Sequence, residues 1–538
     1  MGALTHKRFS FELRQWEIEY QKNFDPTDGF ASPTRIYISK NQIIHIEPYY
    51  NNQNNFTNWL NDKGRHFFDG IFNVPYLRST SNIIKPTSFV NIIKSLIETL
   101  YIFDHCNKHK NKKSYFTIIF DNLSLEALSI LDLVYKNYSF VKLKKIEKTS
   151  LENNLEVNFQ TSITLDKTKL NFSTLCLLIS TNTRYEGSYL NLNLRQRLLK
   201  GNFKCFNLGS LLNLTFPINF LGTNITALNN MCEGNHLTCQ DFKSSKYPIV
   251  VLNNEFYKRN DVDNILNTLK TLKHFDNITN IWRGINILLP STNESNYYSL
   301  AKFTPLNSSA LTKFSTLYFI GISPNLTQEL KKLINFKILK CSANNYTSNF
   351  NQQYIIDQNR QKTPNINLLH YLKGITNFQN YKYLSTSNFY ENQETFVTTE
   401  GIIKRTNKLL YNDKSRNHWQ ILRKLFKSSK LLCKFLNFKD NNLIFFNLIK
   451  IANFKNLVQF NYLAAKNLTN ISFYLSKKTN SFFFNNPNYK LTFFKAIKSK
   501  FIYWIEDFYC GITDEYSYHS ITIIRCFNIL KLEVTNFF

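Results

Sequence analysis

The side chains whose types and spacing come nearest to a metal site are Cys232, His236 and Cys239. Thiolate and imidazole are ligands that zinc prefers, but a structural zinc site uses four of them. This cluster supplies three, and no second pair of ligands stands at a matching spacing elsewhere in the sequence. We therefore predict an ordinary loop at these residues, without a bound metal.

The remaining cysteines add no metal or disulfide pattern. The nine cysteines stand at positions 106, 176, 205, 232, 239, 341, 433, 510 and 526. No two of them form a Cys-x-x-Cys pair, whereas an iron–sulfur cluster needs grouped thiolates. Their odd number and irregular spacing also argue against a disulfide framework, so we expect a reducing compartment.

The catalytic and nucleotide-binding motifs that spacing can reveal are absent as well. The sequence has no Gly-x-Gly-x-x-Gly turn, no Walker A loop, no Gly-x-Ser-x-Gly elbow and no His-Glu-x-x-His helix. We accordingly predict no catalytic, cofactor-binding or metal-binding residue in this chain. An α/β protein of this size without phosphate-binding turns is typical of a degenerate enzyme.

Four short, continuous apolar runs predict buried strands, each followed by a polar turn and a helical stretch. The runs are Tyr115–Phe120, Leu175–Ile179, Pro248–Leu252 and Leu317–Gly321. A helix is predicted over Leu125–Tyr135, after the first run, and another over Phe89–Leu100, before it. Because such strands are buried on both faces and alternate with helices, they predict parallel, doubly wound sheets.

Other patterns occur toward the two ends of the chain. Alternating residues predict a hairpin with strands at Arg35–Ser39 and Ile43–Ile46, followed by a loop over Trp59–Arg65. The asparagine-rich residues 342–390 are predicted to form a long loop, and helical periodicity returns over His418–Leu436. About the last hundred residues receive no fold assignment.

The composition limits the class of protein. The 538 residues carry a formal net charge of +29, and 43% of them are hydrophobic, which excludes wholesale disorder. The lysines are spread along the whole chain, which is typical of a solvated surface rather than of a nucleic-acid-binding arm. No apolar run approaches the roughly 20 residues that a membrane-spanning helix needs. Heavy use of residues with A+T-rich codons indicates an organellar or parasite-like genome.

Several segments carry motifs that follow one another in an informative order. The most specific are Met1–Thr5 with Arg14, Trp16 and Glu17; Trp59–Gly70, which begins Trp-Leu-Asn-Asp-Lys-Gly-Arg; and Leu178–Glu186. Weaker ones are Pro248–Leu252 with Arg259–Asp261, Thr395–Gly401 and Trp419–Arg423. Together they resemble the C-terminal half of the large, seventy-five-kilodalton iron–sulfur subunit of respiratory complex I, over about residues 1–430.

The resemblance implies an α/β, degenerate molybdopterin oxidoreductase-like fold, with Rossmann-like parallel sheets and a small β-rich N-terminal segment. It divides the chain into residues 1–75, the β-rich segment that joins a cluster-bearing partner fragment; residues 76–430, the Rossmann-like lobes; and residues 431–538, a C-terminal extension of unknown fold. In the family, the last cysteine ligand of the Fe–S clusters precedes the position of Met1. The chain is therefore expected to be the second piece of a split subunit, whose Fe–S clusters lie on the first piece.

Active molybdopterin enzymes place a molybdenum ligand in the loop after the first parallel strand, where this chain has Asp121–Ser124. The Ser124 hydroxyl is the candidate ligand there. We favour a different role for Ser124, as the N-cap of the following helix with Glu126 in its first turn. Residues 7–105 contain no cysteine, which excludes the additional Fe–S cluster that some family members hold.

By resemblance, the predicted function is that of a non-catalytic structural subunit of mitochondrial complex I, on the matrix side of the inner membrane and encoded in the organelle. The expected partners are the cluster-bearing N-terminal half of the subunit and other peripheral-arm and accessory subunits, with no nucleic acid and no membrane span. Two alternatives stay open. The charge would suit an organellar RNA-binding protein, such as a maturase or a ribosomal component, and the fold would suit an active molybdopterin oxidoreductase.

Overall fold

The computed structural model describes most of the chain from residue 13 to residue 428 in separate stretches, together with a C-terminal helix. The described residues are 13–49, 59–73, 97, 98, 100, 116–120, 123–145, 167–253, 265, 269, 284–289, 291, 292, 304, 305, 316–320, 365–369, 382, 383, 386–399, 403–411, 416–428, 470, 471, 517 and 520–535. Within them the chain is a mixed α/β structure with two parallel and two antiparallel sheets, which confirms the predicted fold class.

An antiparallel sheet of three strands opens the described chain. Its strands are β1 (Glu19–Phe24), β2 (Pro33–Ser39) and β3 (Gln42–Pro48), in that order across the sheet. Lys40 and Asn41 join β2 to β3 with φ angles of 47° and 62°. Two successive left-handed residues are the signature of a tight hairpin turn that matches the twist of the strands. The predicted hairpin is therefore confirmed.

The segment predicted as a loop over Trp59–Arg65 is instead the start of a helix, α1 (Asp62–Asn73). Glycine at position 64 lowers the helix propensity of this stretch. The packing of Phe67 and Phe68 against Ile36 and Ile46 of the sheet overrides it, because most helical stability in proteins comes from such tertiary contacts. The prediction was wrong from residue 62 onward.

Eleven further strands follow among the described residues and form the two parallel sheets. In chain order they are β4 (Phe116–Phe120), β5 (Val141–Lys145), β6 (Leu175–Ile179), β7 (Lys204–Leu208), β8 (Asn219–Gly222), β9 (Ile249–Asn253), β10 (Ile285–Leu288), β11 (Thr304–Pro305), β12 (Thr316–Ile320), β13 (Asn365–Leu369) and β14 (Lys382–Tyr383). The five-stranded sheet has the order β10-β9-β6-β7-β8, and the six-stranded sheet has the order β11-β5-β4-β12-β13-β14.

Helices cover these sheets, and a small antiparallel sheet completes the described chain. The helices are α2 (Leu125–Asn137), α3 (Lys167–Phe172), α4 (Thr183–Glu186), α5 (Ser188–Leu199), α6 (Ile225–Glu233), α7 (Thr238–Ser244), α8 (His418–Ser428) and α9 (Ile521–Thr535). The small sheet is formed by β15 (Thr395–Val397), β16 (Ile403–Arg405) and β17 (Asn470–Ile471). Two short 3₁₀ helices lie at Gln15–Glu17 and Phe389–Glu391.

Both faces of the five-stranded sheet are apolar, as its continuous runs predict. Along β6, Leu177 and Ile179 enter one core cluster, while Cys176 and Leu178 enter the cluster on the opposite face. On the six-stranded sheet, one cluster joins residues of β4 to α2 and to the fully buried Trp419 of α8. The predicted strands are confirmed over their described residues, and so is the predicted α2. The helix predicted over His418–Leu436 is confirmed as α8 up to Ser428, and residues 429–436 lie outside the described residues.

Two other sequence predictions, a long loop and a helix, are not confirmed in full. The long loop predicted for residues 342–390 was wrong where β13 and β14 add two strands to the six-stranded sheet. Their polar asparagines hid the strand pattern, since β13 alternates Asn-Ile-Asn before two leucines. Of the helix predicted over Phe89–Leu100, residues 97, 98 and 100 are described and are helical, and the rest lies outside the described residues.

The C-terminal extension returns to the N-terminal region through α9. The Ser520 hydroxyl donates a hydrogen bond of 3.3 Å to the carbonyl of His66, and the Thr522 hydroxyl donates one of 3.1 Å to Asp69 Oδ2. Helix α9 therefore packs against α1, although most of residues 431–538 lies outside the described part of the chain. No helix within that described part combines the length and apolarity that a membrane crossing requires.

Candidate functional site

Among the residues that the structure describes, a concentration of buried charge lies where the N-terminal sheet, α1, α2 and the β15–β16 hairpin meet. We call it the polar junction. It consists of Asp25, Asp28, Lys63, Glu126, Glu394 and Lys404, each less than a tenth exposed. Buried charges are rare unless they are paired or hydrogen-bonded, so each of these side chains requires a physical explanation.

The turn between β1 and β2 holds the two aspartates. Asp25 Oδ1 accepts hydrogen bonds from the Thr27 amide (2.8 Å) and the Thr27 hydroxyl (2.7 Å). Asp28 accepts from the Phe30 amide (3.1 Å) and the Ser32 hydroxyl (2.5 Å). Aspartate favours such turns because its carboxylate can bind backbone amides two residues further on. Both carboxylates therefore fold the turn that carries them.

This turn connects three distant parts of the chain. The Gly29 carbonyl accepts a hydrogen bond of 2.8 Å from the amide of Thr399, which follows β15, and the Pro26 carbonyl accepts one of 3.2 Å from the Thr292 hydroxyl, which follows β10. Phe30 is fully buried and packs edge-on against Tyr189 of α5, with ring centroids 5.5 Å apart. The turn is thus a structural bridge between the N-terminal sheet and the five-stranded sheet.

Lys63 and Gly64, from the motif at the start of α1, lie against Asp25. The Lys63 ammonium acts electrostatically on the Asp25 carboxylate, and a Cβ built on Gly64 would lie 2.5 Å from Asp25 Cγ. Only a glycine lets the helix approach the carboxylate so closely. The Asp-Lys-Gly order therefore has a structural basis, because it supplies a cation and removes a side chain at the place where Asp25 is buried.

Lys404 of β16 supplies the second buried cation. Its ammonium donates hydrogen bonds to the carbonyl oxygens of Ala31 (2.5 Å) and Phe30 (3.4 Å) and acts electrostatically on Asp28. Ala31 has a left-handed φ of 50°, which turns its carbonyl away from ordinary strand pairing. The lysine thus stabilises the strained end of the turn and balances the charge of Asp28.

Glu126 of α2 joins the six-stranded sheet to the β15–β16 hairpin. Its carboxylate accepts hydrogen bonds from the Thr395 hydroxyl (2.6 Å) and the Thr395 amide (3.1 Å). Burial raises the pKa of Glu126, and burial followed by the nearby charge of Glu126 raises the pKa of Glu394. Ser124 caps α2 by accepting from the Ala127 amide at 3.5 Å, as the sequence predicted.

The motif over Leu178–Glu186 is also fixed by internal bonds. The Asn61 side-chain amide donates a hydrogen bond of 2.7 Å to the Tyr185 carbonyl, which joins this motif to the one at the start of α1. Glu186 Oε2 accepts from the Asn182 amide (3.0 Å), and the Thr183 hydroxyl donates to Asn191 Oδ1 (2.9 Å). Three of the sequence motifs are therefore brought into contact with one another or with the junction.

The buried Asp25 predicts an unusual pH dependence. Burial, followed by the charge of Asp28, raises the pKa of Asp25 from 3.8 to about 7. Between these values the folded chain holds a proton that the unfolded chain has lost, so stability falls by up to about 1.4 kcal/mol per pH unit as pH rises. We expect Asp25→Asn to remove this decline and to be more stable than wild type at pH 8. Urea unfolding of both proteins from pH 4 to pH 8 measures the free energy of unfolding at each pH. If this free energy changed with pH in the same way in both proteins, the raised pKa of Asp25 would be contradicted.

Of Cys232, His236 and Cys239, only His236 lies in a loop; Cys232 belongs to α6 and Cys239 to α7, so the predicted loop was wrong at both cysteines. His236 Nδ1 lies 2.8 Å from the Thr238 hydroxyl, and the Cys239 thiol donates to the Met231 carbonyl at 3.3 Å. Cys232 packs against one core cluster of the five-stranded sheet. Within the described residues no group of three or more His, Cys, Asp or Glu side chains could hold a metal ion. The absence of metal from the chain stays a prediction.

The described hydrogen bonds of the junction are internal to the chain: the carboxylates of Asp25, Asp28 and Glu126 each accept from backbone amides and hydroxyls. Sequence reasoning missed Asp25, Lys404 and the partner of Glu126. Glu126 binds a residue 269 positions away, and Lys404 binds one 374 positions away. The available signals were the clustered turn residues at 25–29 and the glycine directly after Lys63.

The sequence is similar to a known protein family and to individual proteins. A sequence profile described as molybdopterin oxidoreductase matches residues 101–428, more than half of the chain. The "NADH-ubiquinone oxidoreductase 75 kDa subunit" of Reclinomonas americana is 24% identical over 459 residues, which cover 82% of this chain and 61% of that protein. The mitochondrial "NADH dehydrogenase [ubiquinone] iron-sulfur protein 1" of Solanum tuberosum is 24% identical over 295 residues, covering 54% and 39%.

Among solved structures, acetylene hydratase from Pelobacter acetylenicus aligns with a TM-score of 0.46 and 9% identity, covering 85% of this chain and 74% of that one. The chain spans less than two thirds of the length of the two relatives above.

Proposed function

Because the chain belongs to the molybdopterin oxidoreductase family, and because its relatives are subunits of NADH:ubiquinone oxidoreductase, we propose that it is a structural subunit of mitochondrial respiratory complex I. The observation that carries the proposal is the similarity to the 75 kDa subunit over 82% of the chain. In the proposed role the chain scaffolds the peripheral arm on the matrix side of the inner membrane, and electrons pass through the Fe–S clusters of a neighbouring portion of the subunit.

The internal bonding of the motifs supports a scaffold. The motif segments meet in contacts that the chain makes with itself, such as Asn61 with Tyr185 and Thr395 with Glu126. These two hydrogen bonds join parts of the chain that are 124 and 269 residues apart, and they help to hold the sheets together.

The family name implies a molybdopterin cofactor, whose phosphate needs free donors such as those of a helix N-terminus. At the carboxyl end of β6, the Asn182 amide is taken by the Glu186 carboxylate, and the Ser180 amide donates to the Leu208 carbonyl at 2.8 Å. At the end of β7, the Gly209 amide donates to the Gly222 carbonyl at 2.9 Å. These three amides are therefore not available to a phosphate group, and we propose that the chain binds no molybdopterin cofactor.

The proposed partners are the cluster-bearing portion of the 75 kDa subunit and the neighbouring subunits of the peripheral arm. The net charge of +29 favours partners with acidic surfaces. Complementary charge gives orientation and a faster encounter more than it gives affinity.

Purification of the native assembly through an affinity tag on this chain tests the proposal. Mass spectrometry is expected to identify complex I subunits as the main companions. Metal analysis is expected to find iron that separates with other polypeptides when the assembly is dissociated. RNA or ribosomal proteins as the main companions would contradict the proposal, and molybdenum at one atom per chain would contradict the proposed absence of the cofactor.

A further inference from the structure

Exposed apolar side chains lie at the amino ends of three neighbouring strands of the five-stranded sheet. Phe172 ends α3 before β6, Leu199 ends α5 before β7, and Tyr247 precedes β9. Their side chains are 64%, 75% and 47% exposed, respectively. Parallel strands begin at the same edge of a sheet, so these residues belong to one surface. We call it the amino-end surface, and it consists of Phe172, Leu199, Tyr247, Lys200, Lys243 and Lys246.

Hydrogen bonds join the chain segments that carry these side chains. The Thr174 amide donates to the Lys246 carbonyl (3.0 Å), and the Lys246 amide donates to the Thr174 hydroxyl (2.8 Å). The Arg197 guanidinium donates to the carbonyls of Ser173 (2.8 Å) and Gly201 (2.7 Å). The ends of α3 and α5 and the segment before β9 are therefore fixed relative to one another. A surface that is already ordered loses little conformational freedom when it binds a partner.

Tyr247 has a backbone conformation that favours other residue types. Its φ of 52° lies in the left-handed region, which glycine and asparagine adopt more readily than a bulky residue does. The local backbone therefore does not require a tyrosine at this position. Strained residues of this kind are concentrated at functional sites. A strained position that exposes an aromatic ring to solvent thus indicates a role in binding.

Exposed lysines border the apolar residues. Lys200 follows α5, Lys243 lies in the last turn of α7, and Lys246 follows that helix. Lys200 donates a hydrogen bond of 2.9 Å to Asn171 Oδ1, a neutral group that does not balance its charge. Cations near helix C-termini interact favourably with the helix dipole, which accounts for Lys200 and Lys243. The dipole does not account for the group of exposed apolar side chains beside them.

We infer that the amino-end surface binds a segment of another protein chain in which apolar side chains lie between Asp or Glu residues. The apolar side chains of such a segment would cover Phe172, Leu199 and Tyr247, and its carboxylates would meet the lysines. The carboxylate of α7, Asp241, does not oppose this charge pattern, because it is paired with Lys204 at 2.6 Å. The inference follows from the chemistry of the surface and does not rest on the proposed function.

The apolar centre of the surface favours a protein partner over nucleic acid. Lysines beside aromatic rings also suit single-stranded RNA, whose bases stack on the rings. However, Leu199 is the most exposed of the three apolar residues, and it has no ring for a base to stack on. The three cations of the surface are lysines, which lack the planar guanidinium that stacks on bases. An apolar centre with a charged border is typical of protein interfaces.

Carbodiimide cross-linking of the native assembly, purified through an affinity tag on this chain, tests the inference. The reagent joins a lysine ammonium directly to a carboxylate that contacts it, and mass spectrometry identifies the joined residues. We expect Lys200, Lys243 or Lys246 to be joined to an Asp or Glu of another polypeptide, within a segment that also carries apolar residues. The pair Lys204–Asp241 is the internal control, because its atoms already lie 2.6 Å apart within the chain.

Two tyrosine variants form a matched comparison. Asparagine tolerates the left-handed conformation, so Tyr247→Asn is expected to unfold at the same or a higher urea concentration than wild type. Its intermolecular cross-linked product is nevertheless expected to fall by about tenfold or more. The control is Tyr411→Asn, because Tyr411 is 69% exposed and lies beside the N-terminal sheet, where its amide binds Asn41 Oδ1 at 2.8 Å. This variant is expected to give the wild-type amount of product.

The contrary outcomes separate this inference from the proposed function. If Lys204–Asp241 were joined but none of the three lysines were joined to another polypeptide, the inference would be overturned and the proposed function would stand. It would also be overturned by an unchanged product in Tyr247→Asn, by an equal loss in Tyr411→Asn, or by ultraviolet cross-linking of Tyr247 to RNA. An acidic and apolar partner segment from an assembly without complex I subunits would support the inference and contradict the proposed function.

Discussion

Replacement of Gly29 by alanine is expected to destabilise the chain by about 3 kcal/mol or more. A Cβ at this position would overlap the Leu289 carbonyl oxygen and would lie 2.5 Å from Thr399 Oγ1. The Leu289 group is backbone at the end of β10, so it cannot rotate away as a flexible side chain would. The bridging turn would have to withdraw from the five-stranded sheet, with loss of the Thr399–Gly29 hydrogen bond.

Gly201→Ala is the control for Gly29→Ala. Gly201 has a φ of 82° and nothing within 4 Å of a built Cβ, so alanine there meets conformational strain without a steric clash. That strain is worth about 1–2 kcal/mol. Urea unfolding of the full chain, followed by tryptophan fluorescence, compares the two variants. A Gly29→Ala protein as stable as Gly201→Ala would contradict the close packing of the turn against β10.

Replacement of Lys404 by methionine is expected to destabilise the chain by about 1–3 kcal/mol, the usual effect of leaving a buried acceptor without its donor. Methionine retains most of the apolar volume and removes the charge. The carbonyls of Phe30 and Ala31 would lose their donor, and the carboxylate of Asp28 would lose its buried counter-charge. Urea unfolding at pH 8 measures the loss.

A double-mutant cycle separates the charge of Lys404 from its volume. Asp28→Asn keeps an oxygen for the Phe30 amide and a polar group for the Ser32 hydroxyl, and it removes the negative charge. The double variant is therefore expected to be more stable than the sum of the single effects by about 1 kcal/mol or more. The control is Lys200→Met, because Lys200 is exposed and binds Asn171 at 2.9 Å; its expected effect is within about 0.5 kcal/mol. Strictly additive single effects would contradict an electrostatic interaction between Lys404 and Asp28.

The buried framework was predictable because its residues carry one dominant signal. The run Leu175–Ile179 is apolar at every position, and the structure places it at the centre of the five-stranded sheet with both faces covered. The hairpin between β2 and β3 was equally clear, since its turn contains an asparagine that tolerates the left-handed conformation. In both places local preference and tertiary environment agree.

The misses arose where tertiary contacts override local preference. Gly64 weakens the helical signal of α1, yet the buried Asp25 requires a glycine there. Strand β13 contains asparagines at positions 365 and 367 and still pairs with β12 along its whole length. The polar junction depends on contacts across hundreds of residues, which periodicity along a single sequence does not encode. The sequence shows which residue types the junction contains, but it does not show that these residues contact one another in the fold.

The most direct test of the central claim is native electrophoresis of detergent-solubilised mitochondrial membranes, with this chain detected by antibody and NADH dehydrogenase activity stained in the same gel. A structural subunit of complex I is expected to migrate with the large assembly that shows the activity, and its depletion is expected to remove that assembly. Migration of the chain away from all NADH dehydrogenase activity, with the assembly intact after depletion, would contradict the claim.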